Sequence, residues 1–310
     1  MKSNLKIYVA GHTGMVGSAC LKALKLEGYK KLVYKKSSEL DLTDQRSVKN
    51  FIEIEKPDIV INCAAVVGGI MANNNYPYKF LMDNMLIQNN LIRYSHENKI
   101  KKFVFLGSSC IYPKYSKQPI KEKYLLSDYL EPTNEWYAIA KISGVKLIES
   151  LRKKHKRDYI SLMPTNLYGS NDNFDFNSSH VIPGMIAKFH QAKIRNSNYI
   201  TLWGDGTPLR EFLHVDDLAN AILFSIENSF SDSLFNVGSG EEIAIKDLAK
   251  IVKKIVGFKG GVNWDKSMPN GTPRKLLDST KFKNLGWKQK ISLEKGIDLT
   301  YKWYVDNLSK

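Results

Sequence analysis

The architecture is indicated most directly by Ala10-Gly11-His12-Thr13-Gly14-Met15-Val16-Gly17. This stretch follows an apolar run and opens an amphipathic one. Glycines between a strand and a helix permit a tight turn and bring backbone N–H groups close to a pyrophosphate. The spacing is GxxGxxG rather than GxGxxG, and a glycine triplet alone is weak evidence. In its strand–turn–helix context it predicts a nucleotide-binding turn.

Outward from this turn, the first half of the chain alternates short apolar runs with longer amphipathic stretches. The predicted strands are Leu5–Ala10, Lys31–Tyr34, Asp58–Asn62, Lys102–Leu106 and Tyr159–Met163. The predicted helices are Met15–Glu27, Ser47–Glu55, Tyr78–Asn98 and Glu135–Lys156. Such alternation is typical of a parallel sheet covered on both faces, so we predict a doubly wound, Rossmann-like α/β fold.

The second half has a different texture. Residues 166–179 are rich in Asn, Asp and Ser and predict a long structured loop of functional importance. Later predicted elements are the helices Val181–Lys193, Val215–Glu227, Ile245–Val256 and Ser292–Asn307, the strands Tyr199–Trp203 and Leu234–Val237, and a turn at Gly204-Asp205-Gly206. We expect a Rossmann domain from residues 1–164 and 205–238, and a smaller C-terminal substrate-binding domain from 165–204 and 239–310.

Composition limits the function classes. The 310 residues carry a formal net charge of +15, which a nucleic-acid-binding protein would also show. Lysine is spread along the whole chain without a basic, aromatic-interleaved cluster, so a solvated surface is the better interpretation, and a positive cleft would attract phosphorylated ligands. No apolar run approaches the roughly 20 residues of a membrane span, and three cysteines without ligand spacing predict neither disulfides nor a metal site. We therefore expect a cytoplasmic protein that binds neither membrane nor nucleic acid.

Candidate catalytic residues come from Tyr137 and Lys141 on the predicted helix Glu135–Lys156. Their spacing places both on one helix face, about one turn apart. The Lys ammonium can bias the phenol toward its anion, and Ser108, which follows a predicted strand, can reach the same point. Together these groups can polarise a carbonyl and supply its proton, as hydride transfer to a ketone requires.

The end of the second predicted strand bears on cofactor choice. An acidic residue there would indicate NAD, whereas Lys35, Lys36 and Ser37 suit a 2′-phosphate and favour NADPH. The alternative is that both lysines simply flank a surface turn.

Two further residues have competing interpretations. Cys110 is either an inert small hydrophobe or, two residues after Ser108, part of the site. His180 stands in a polar stretch before an apolar helix, where an isolated histidine is more often a surface or capping residue.

Several longer motifs carry a resemblance. They are GHTGMVGSA at 11–19, INCAAVVGGI at 61–70, FLGSSCIYPK at 105–114, EPTNEWYAIAKISG at 131–144, MPTNLYGSNDNF at 163–174, SHVIPGMIAKFHQA at 179–192, LWGDGTPLREFLHVDDLA at 202–219 and NGTPRKLLD at 270–278. With these motifs in colinear order over nearly its whole length, the chain resembles the extended short-chain dehydrogenase/reductases, and within them the GDP-sugar epimerase/reductases. The glycine turn and YxxxK are general to that superfamily; GSSCIYPK, MPTNLYG and SHVIP are narrower.

The resemblance implies residue roles. Ser108, Tyr137 and Lys141 would form the reductase triad, and Cys110 and His180 would exchange protons with the sugar. NADPH would contact Gly11, Thr13, Gly14, Met15, Val16, Gly17, Lys35, Lys36, Ser37, Asp41, Leu42, Ala64, Ala65, Leu106, Gly107, Tyr137, Lys141, Pro164, Asn166, Leu167 and His180. The GDP-sugar would contact Ser109, Asn166, Lys188, Trp203, Arg210, Asn270 and Arg274.

The implied activity is NADPH-dependent epimerisation of GDP-4-keto-6-deoxy-D-mannose at C3 and C5, followed by reduction at C4. Three positions depart from the familiar pattern: Thr13, Trp136 and Asn270. Two alternatives stay open, namely a C4 reductase acting on a GDP-4-keto-6-deoxy hexose or heptose, and a catalytically silent nucleotide- or nucleic-acid-binding protein. Relatives pair through long helices such as 78–98 and 135–156, so a homodimer is expected.

Overall fold

The computed structural model describes residues 4–308 apart from 177 and 269. The strands are β1 (Lys6–Ala10), β2 (Lys31–Val33), β3 (Ile59–Asn62), β4 (Lys102–Leu106), β5 (Asp158–Pro164), β6 (Asn166–Tyr168), β7 (Tyr199–Trp203), β8 (Leu209–His214), β9 (Leu234–Val237), β10 (Glu242–Ala244), β11 (Gly261–Asp265) and β12 (Arg274–Lys275). The helices are α1 (Met15–Leu26), α2 (Gln45–Glu55), α3 (Ile70–Asn75), α4 (Pro77–Glu97), α5 (Glu135–His155), α6 (Val181–Ile194), α7 (Val215–Glu227), α8 (Ile245–Val256), α9 (Thr280–Asn284) and α10 (Leu293–Leu308).

A six-stranded sheet forms the first region, in the order β2-β1-β3-β4-β5-β9 with all neighbours parallel. The order reverses between β1 and β3, because the chain adds β2 on one side of β1 and later strands on the other. Ligands of open α/β sheets bind in the crevice that such a reversal creates at the carboxyl ends of the strands.

Both faces of this sheet are buried. Along β1, Ile7 and Val9 join one core with α1 and α7, whereas Tyr8 and Ala10 join the opposite core with α2, α4 and α5. Successive residues of a strand therefore enter two different cores, which explains why the parallel strands are predominantly apolar rather than alternating regularly between apolar and polar residues.

The second region holds smaller sheets. Strand β8 pairs with β6, β10 and β12, and β7 pairs with β11. Helices α6, α8 and α10 supply most of its separate apolar core. Within the described residues, no helix is long and apolar enough to cross a membrane.

The predicted doubly wound fold is confirmed, and several predicted elements match to the residue, including β4, β7, β9, α7 and α8. The prediction of an unbroken loop over 166–179 is wrong at its start. Residues 166–168 form β6, which is held by parallel pairing to β8, a strand that the sequence did not predict. Pairing with a distant partner decided the conformation, and local composition does not report that partner.

The predicted domain boundaries stay a prediction, and their terminal residues 1–3 and 309–310 lie outside the described residues. Two elements cross the proposed division. Strand β8, in the segment assigned to the first domain, pairs within the second region, and α9, in a segment assigned to the second domain, packs on β9. β8 thus belongs by its pairing to the second region, although the chain before α7 was assigned to the first domain.

Candidate active site

The glycine turn joins β1 to α1 and is tightly built. Gly11 has φ +76°, and a Cβ placed there would lie 2.7 Å from the backbone nitrogen of Ala64. A Cβ at Gly17 would overlap the Gly11 carbonyl. The Gly14 N–H donates to the same carbonyl at 3.1 Å. Larger residues at 11 or 17 would therefore displace the turn from β3 or from its own helix.

Helix α1 begins without a side-chain cap. Gly14 is its N-cap residue, and its first turn contains no acidic side chain. The first N–H groups of a helix lack intrahelical partners and attract anions, so Thr13, Met15 and Val16 around the Gly14 N-cap can offer donors to a phosphate. This geometry agrees with the predicted pyrophosphate site.

Beyond β2, the basic residues lie in an exposed turn. Lys35 is 3.4 Å from the Glu39 carboxylate, which also accepts from the Lys36 N–H at 2.9 Å. Within the described part of the chain, the Lys36 ammonium has no ion-pair partner. Ser37 continues the same turn. Tyr34 stacks against His12 with ring centroids 4.8 Å apart, which brings this turn beside the glycine turn.

Asp41 and Leu42, also predicted to touch the cofactor, lie farther along this connection. The Asp41 carboxylate accepts from the Thr43 backbone N–H and hydroxyl at 2.8 and 2.7 Å. The Leu42 carbonyl accepts from the Asn90 amide at 3.0 Å. Both groups therefore stabilise the approach to α2 in this structure.

Ser108 and Tyr137 meet beyond the end of β4. Ser108 caps the short 3₁₀ turn Ser109–Ile111, and its hydroxyl accepts from the Cys110 N–H at 3.2 Å. Burial and the nearby Cys110 raise the pKa of the Tyr137 phenol, while a hydrogen bond with Ser108 opposes that rise. The phenol is accordingly protonated at neutral pH, which is the state that donates a proton.

Lys141 lies behind the tyrosine. It is only 3% exposed, its ammonium donates to the Leu106 carbonyl at 2.9 Å, and it stands 5.7 Å from the centroid of the Tyr137 ring. Burial lowers the pKa of Lys141 to about 8, with a smaller opposing effect from Cys63. Helix α5 thus presents Tyr137 and Lys141 together to the carboxyl end of β4, as their spacing predicts.

The Cys110 thiol contacts two residues that were not predicted. The Asn134 amide donates to its sulfur at 3.3 Å, and the Lys275 ammonium at 3.7 Å. Asn134 is the N-cap residue of α5, and Lys275 belongs to β12. The sulfur is therefore held between the first region and the second.

His180 is the N-cap residue of α6. Its side chain makes no hydrogen bond within the part of the chain that is described, and it is accessible to solvent. Desolvation by surrounding protein lowers the pKa of the imidazole, so the neutral form prevails near pH 7. No hydrogen bond joins His180 to Cys110 among the described residues. Its loop approaches the β3 side of the site, where the Ser178 carbonyl lies 3.6 Å from a Cβ built on Gly69.

The remaining residues proposed for the cofactor line the same sheet edge. Ala64 and Ala65 follow β3, Leu106 and Gly107 end β4, and Pro164 ends β5. Asn166 and Leu167 begin β6, and the Asn166 amide donates to the Glu211 carbonyl at 2.8 Å. These positions lie at or just beyond the carboxyl ends of β3, β4 and β5.

Arg210 has the properties of a ligand-binding cation. Burial lowers the pKa of its guanidinium, whose only hydrogen bond within the described chain is to the neighbouring Leu209 carbonyl, at 2.9 Å. An exposed arginine at this position could instead pair with Glu211 or Asp216, but neither ion pair is observed. The Glu211 carboxylate accepts from the Gly240 and Leu277 N–H groups, and Asp216 pairs with Lys22.

Lys188 and Trp203 lie together, with the ammonium 5.4 Å from the ring centroid, and burial lowers the pKa of Lys188. The Trp203 ring is half exposed, which leaves it accessible to a ligand. This pair supplies a cation beside an aromatic surface at the junction of α6 and β7.

Of three other residues predicted to bind substrate, two have side-chain partners and one is buried. The Asn270 side-chain oxygen accepts from the Asp205 N–H at 2.9 Å and holds the turn at 204–206. Arg274 pairs with Glu242 at 2.7 Å. Ser109 is buried within its 3₁₀ turn. Because side chains alternate along β12, Arg274 points toward Glu242 and Lys275 toward Cys110. The sequence, with two adjacent basic residues, did not indicate which of them faces the site.

The chain matches the model of a known protein family. The model of the NAD dependent epimerase/dehydratase family matches residues 7–238. This chain belongs to that family. Among curated members, it is 52% identical over 303 residues to GDP-L-fucose synthase 1 of Arabidopsis thaliana, covering 98% of this chain and 94% of that protein. The resemblance predicted from the motifs is confirmed.

Two further family relatives frame the comparison. GDP-L-fucose synthase of Escherichia coli (strain K12) is 49% identical over 314 residues, which cover 98% of each chain. The solved structure of MlghC, the GDP-mannoheptose C4 reductase of Campylobacter jejuni with NADP bound, is 37% identical with a TM-score of 0.92, covering 98% of this chain and 99% of that one. The heptose enzyme is the more distant of the two.

Proposed function

We propose that this protein converts GDP-4-keto-6-deoxy-D-mannose to GDP-L-fucose with NADPH, by epimerisation at C3 and C5 and then reduction at C4. One observation carries the proposal. The protonated Tyr137 phenol, with Ser108 and Lys141 beside it, shares a site with the Cys110 thiol. Reduction needs the first three groups, whereas a base of this kind is needed only for proton exchange at carbon. The relatives named GDP-L-fucose synthase support the same substrate.

Epimerisation rests on the acidity that a ketone gives its neighbours. Removal of a proton from C3 or C5 places the electron pair on the C4 oxygen as an enolate. Tyr137 and Ser108 stabilise this oxyanion by hydrogen bonds, usually a large catalytic contribution. Cys110 takes the proton as a thiolate, and neutral His180, once protonated, returns one to the opposite face.

Reduction uses the same oxygen. NADPH supplies hydride to C4 when it is bound, and Tyr137 gives its proton to the C4 alkoxide. Lys141 then stabilises the phenolate that Tyr137 becomes. The cofactor fits the glycine turn, because Gly11 and Gly17 leave room only for backbone and the α1 N–H groups have no side-chain cap. Lys36 and Lys35 follow β2, where the adenosine ribose is bound in doubly wound folds.

Replacement of Lys35 and Lys36 by Ala should raise the KM for NADPH more than that for NADH. Both cations lie at the end of β2, where they can meet a 2′-phosphate that NADH lacks. Lys36 contributes more because Lys35 already pairs with Glu39. Initial rates with each cofactor measure the effect, and Lys250→Ala, which removes one exposed helix cation, is the control. Equal effects on both cofactors would remove these lysines from the phosphate site.

Arg210, Lys188 and Trp203 bind the GDP portion in this proposal. A guanidinium grips diphosphate oxygens bidentately, and Arg210 is free of carboxylate partners within the described residues. Asn270 and Arg274 act through the turn and the strand beside it, since their side chains already have partners. Ser109 and Asn166 border the sugar.

Arg210→Lys should weaken GDP binding by about 1–3 kcal/mol, because a lysine keeps the charge but loses the bidentate fork. NADPH affinity should not change, since the glycine turn binds that cofactor's pyrophosphate. Calorimetric titrations with GDP and with NADPH measure both affinities. Unchanged GDP affinity, or an equal loss for both ligands, would exclude Arg210 from the diphosphate site.

The function is tested by incubation with NADPH and GDP-4-keto-6-deoxy-D-mannose in D2O. The proposal predicts GDP-L-fucose with deuterium at C3 and C5. NADPH consumption without deuterium incorporation would indicate a C4 reductase alone. This is the nearest alternative, because the similar C. jejuni heptose enzyme is a C4 reductase. Binding of DNA without turnover would indicate the catalytically silent alternative.

We further propose a cytoplasmic homodimer. Three free cysteines suit a reducing compartment. Helices α4 and α5 pack together and leave apolar side chains exposed, namely Tyr78, Met82, Leu86, Trp136 and Ile139. Such a paired-helix surface suits a two-fold interface. Sedimentation as a monomer in analytical ultracentrifugation would exclude it.

A further inference from the structure

Lys275 connects the second region to the thiol. On β12 it is paired in register with Arg210 of the parallel strand β8, so the two side chains leave the sheet side by side. Its ammonium lies 3.7 Å from the Cys110 sulfur, across 165 residues of sequence. The cation thus stands between the proposed diphosphate site and the proposed base.

The sulfur is surrounded by donors. Besides Lys275, the Asn134 amide donates to it at 3.3 Å, and no acceptor for an S–H proton contacts it within the described residues. Hydrogen bonds to the charged form of a group favour that form. Two N–H donors and no acceptor are therefore suited to a thiolate rather than a thiol.

Among the described residues, the Lys275 ammonium has no hydrogen-bond or ion-pair partner besides Cys110. No carboxylate lies within ion-pair distance of it in the described chain, and its neighbour Arg274 uses the nearby Glu242. Within the described residues, Arg210 of β8 is in register with Lys275, and the Tyr137 phenol of α5 is close enough to Cys110 to interact with it electrostatically. A cation with a thiol as its nearest polar contact stabilises negative charge on that sulfur.

We propose that Lys275 is the counterion of the Cys110 thiolate and is a positioning residue for epimerisation, an inference that rests on the proposed function. In the step it supports, the thiolate takes a proton from C3 or C5 and becomes a thiol, and the C–H electron pair moves to the C4 oxygen. Lys275 keeps its own protons throughout. The Asn134 amide, which also donates to the sulfur, helps to fix its position.

The test is alkylation of Cys110 by iodoacetamide across a pH series, followed by mass spectrometry of the peptide that contains Cys110. No sugar or cofactor is added. In Lys275→Met the rate at pH 7 should fall about tenfold and the pH profile should move upward by about one unit, because only the thiolate reacts. Lys275→Arg should behave like the parent protein, since it keeps the cation.

Lys250→Met is the charge control, because it removes a cation from the exposed face of α8 and should leave the profile unchanged. Thermal unfolding shows whether Lys275→Met is folded, and Lys275→Gln replaces it if it is not. An unmoved alkylation profile in a folded variant would overturn the proposal. So would a profile that moves equally in Lys275→Arg, because packing rather than charge would then be responsible.

A second measurement links the pair to catalysis. Deuterium incorporation at C3 and C5 in D2O should fall about tenfold in Lys275→Met at pH 7 and recover as pH rises, in parallel with alkylation. A parent protein that exchanges no deuterium would contradict the proposed function, while alkylation would still decide whether Lys275 stabilises the thiolate. Loss of exchange at all pH values with an unmoved alkylation profile would place Lys275 at the substrate instead.

Discussion

Tyr137→Phe should reduce the rate of hydride transfer by about 10²- to 10⁴-fold, the usual contribution of a general acid. Phenylalanine keeps the ring, which packs edge-on against Phe80 with centroids 6.4 Å apart, and loses only the hydroxyl. Stopped-flow oxidation of NADPH measures the loss. The KM for NADPH should change little, because the glycine turn is unaffected.

Two controls define this result. Tyr129→Phe removes a phenol that is 90% exposed and should leave the rate unchanged. Deuterium exchange should partly survive in Tyr137→Phe, because Cys110 and Ser108 are still present. A loss of less than about tenfold would mean that another group protonates C4, and the role proposed for Tyr137 would be wrong.

Cys110→Ser should abolish deuterium incorporation at C3 and C5. A serine hydroxyl in the same place is too weak an acid to ionise, even between Asn134 and Lys275, so it cannot act as the base. The triad of Ser108, Tyr137 and Lys141 should still reduce the ketone, and the product should then be the unepimerised sugar. Proton NMR of the product in D2O identifies both its configuration and its label.

The reductive step serves as the internal control for this variant. If Cys110→Ser consumes NADPH and yields the unepimerised alcohol, the two chemistries are separable. Formation of the doubly epimerised product would show that the thiol is not the base. Loss of both activities together would point instead to disruption of the 3₁₀ turn, where the Cys110 N–H donates to Ser108.

Much of the fold follows from short-range pattern. Strands buried on both faces appear as predominantly apolar runs, which is why β4 and, despite its buried Asn236, β9 could be predicted to the residue. Strand β8 could not, because its sequence Leu-Arg-Glu-Phe-Leu-His contains charged residues. The Glu211 side chain is fully buried, and its carboxylate accepts from the Gly240 and Leu277 N–H groups. Those donors come from distant segments, so local propensity gives no sign of them.

The site residues were likewise predictable only where they depend on short-range pattern. Tyr137 and Lys141 could be placed together because one helix carries both, and Ser108 because it ends a strand beside them. The contact between Lys275 and Cys110 spans two regions of the chain. Which of Arg274 and Lys275 reaches the site depends on the register of β12 against β8, and two adjacent basic residues give no information about register.

The buried Lys141 has a consequence for the stability of the molecule. Its pKa falls from 10.5 to about 8 on folding, and each unit of such a change corresponds to about 1.4 kcal/mol. Between those two pH values the unfolded chain binds more protons than the folded one, so stability rises with pH there, and below pH 8 the full penalty applies. At neutral pH the protonated, buried Lys141 therefore favours unfolding. A ligand that brings negative charge to Lys141 would lower this penalty, so binding at the catalytic centre would also stabilise the fold.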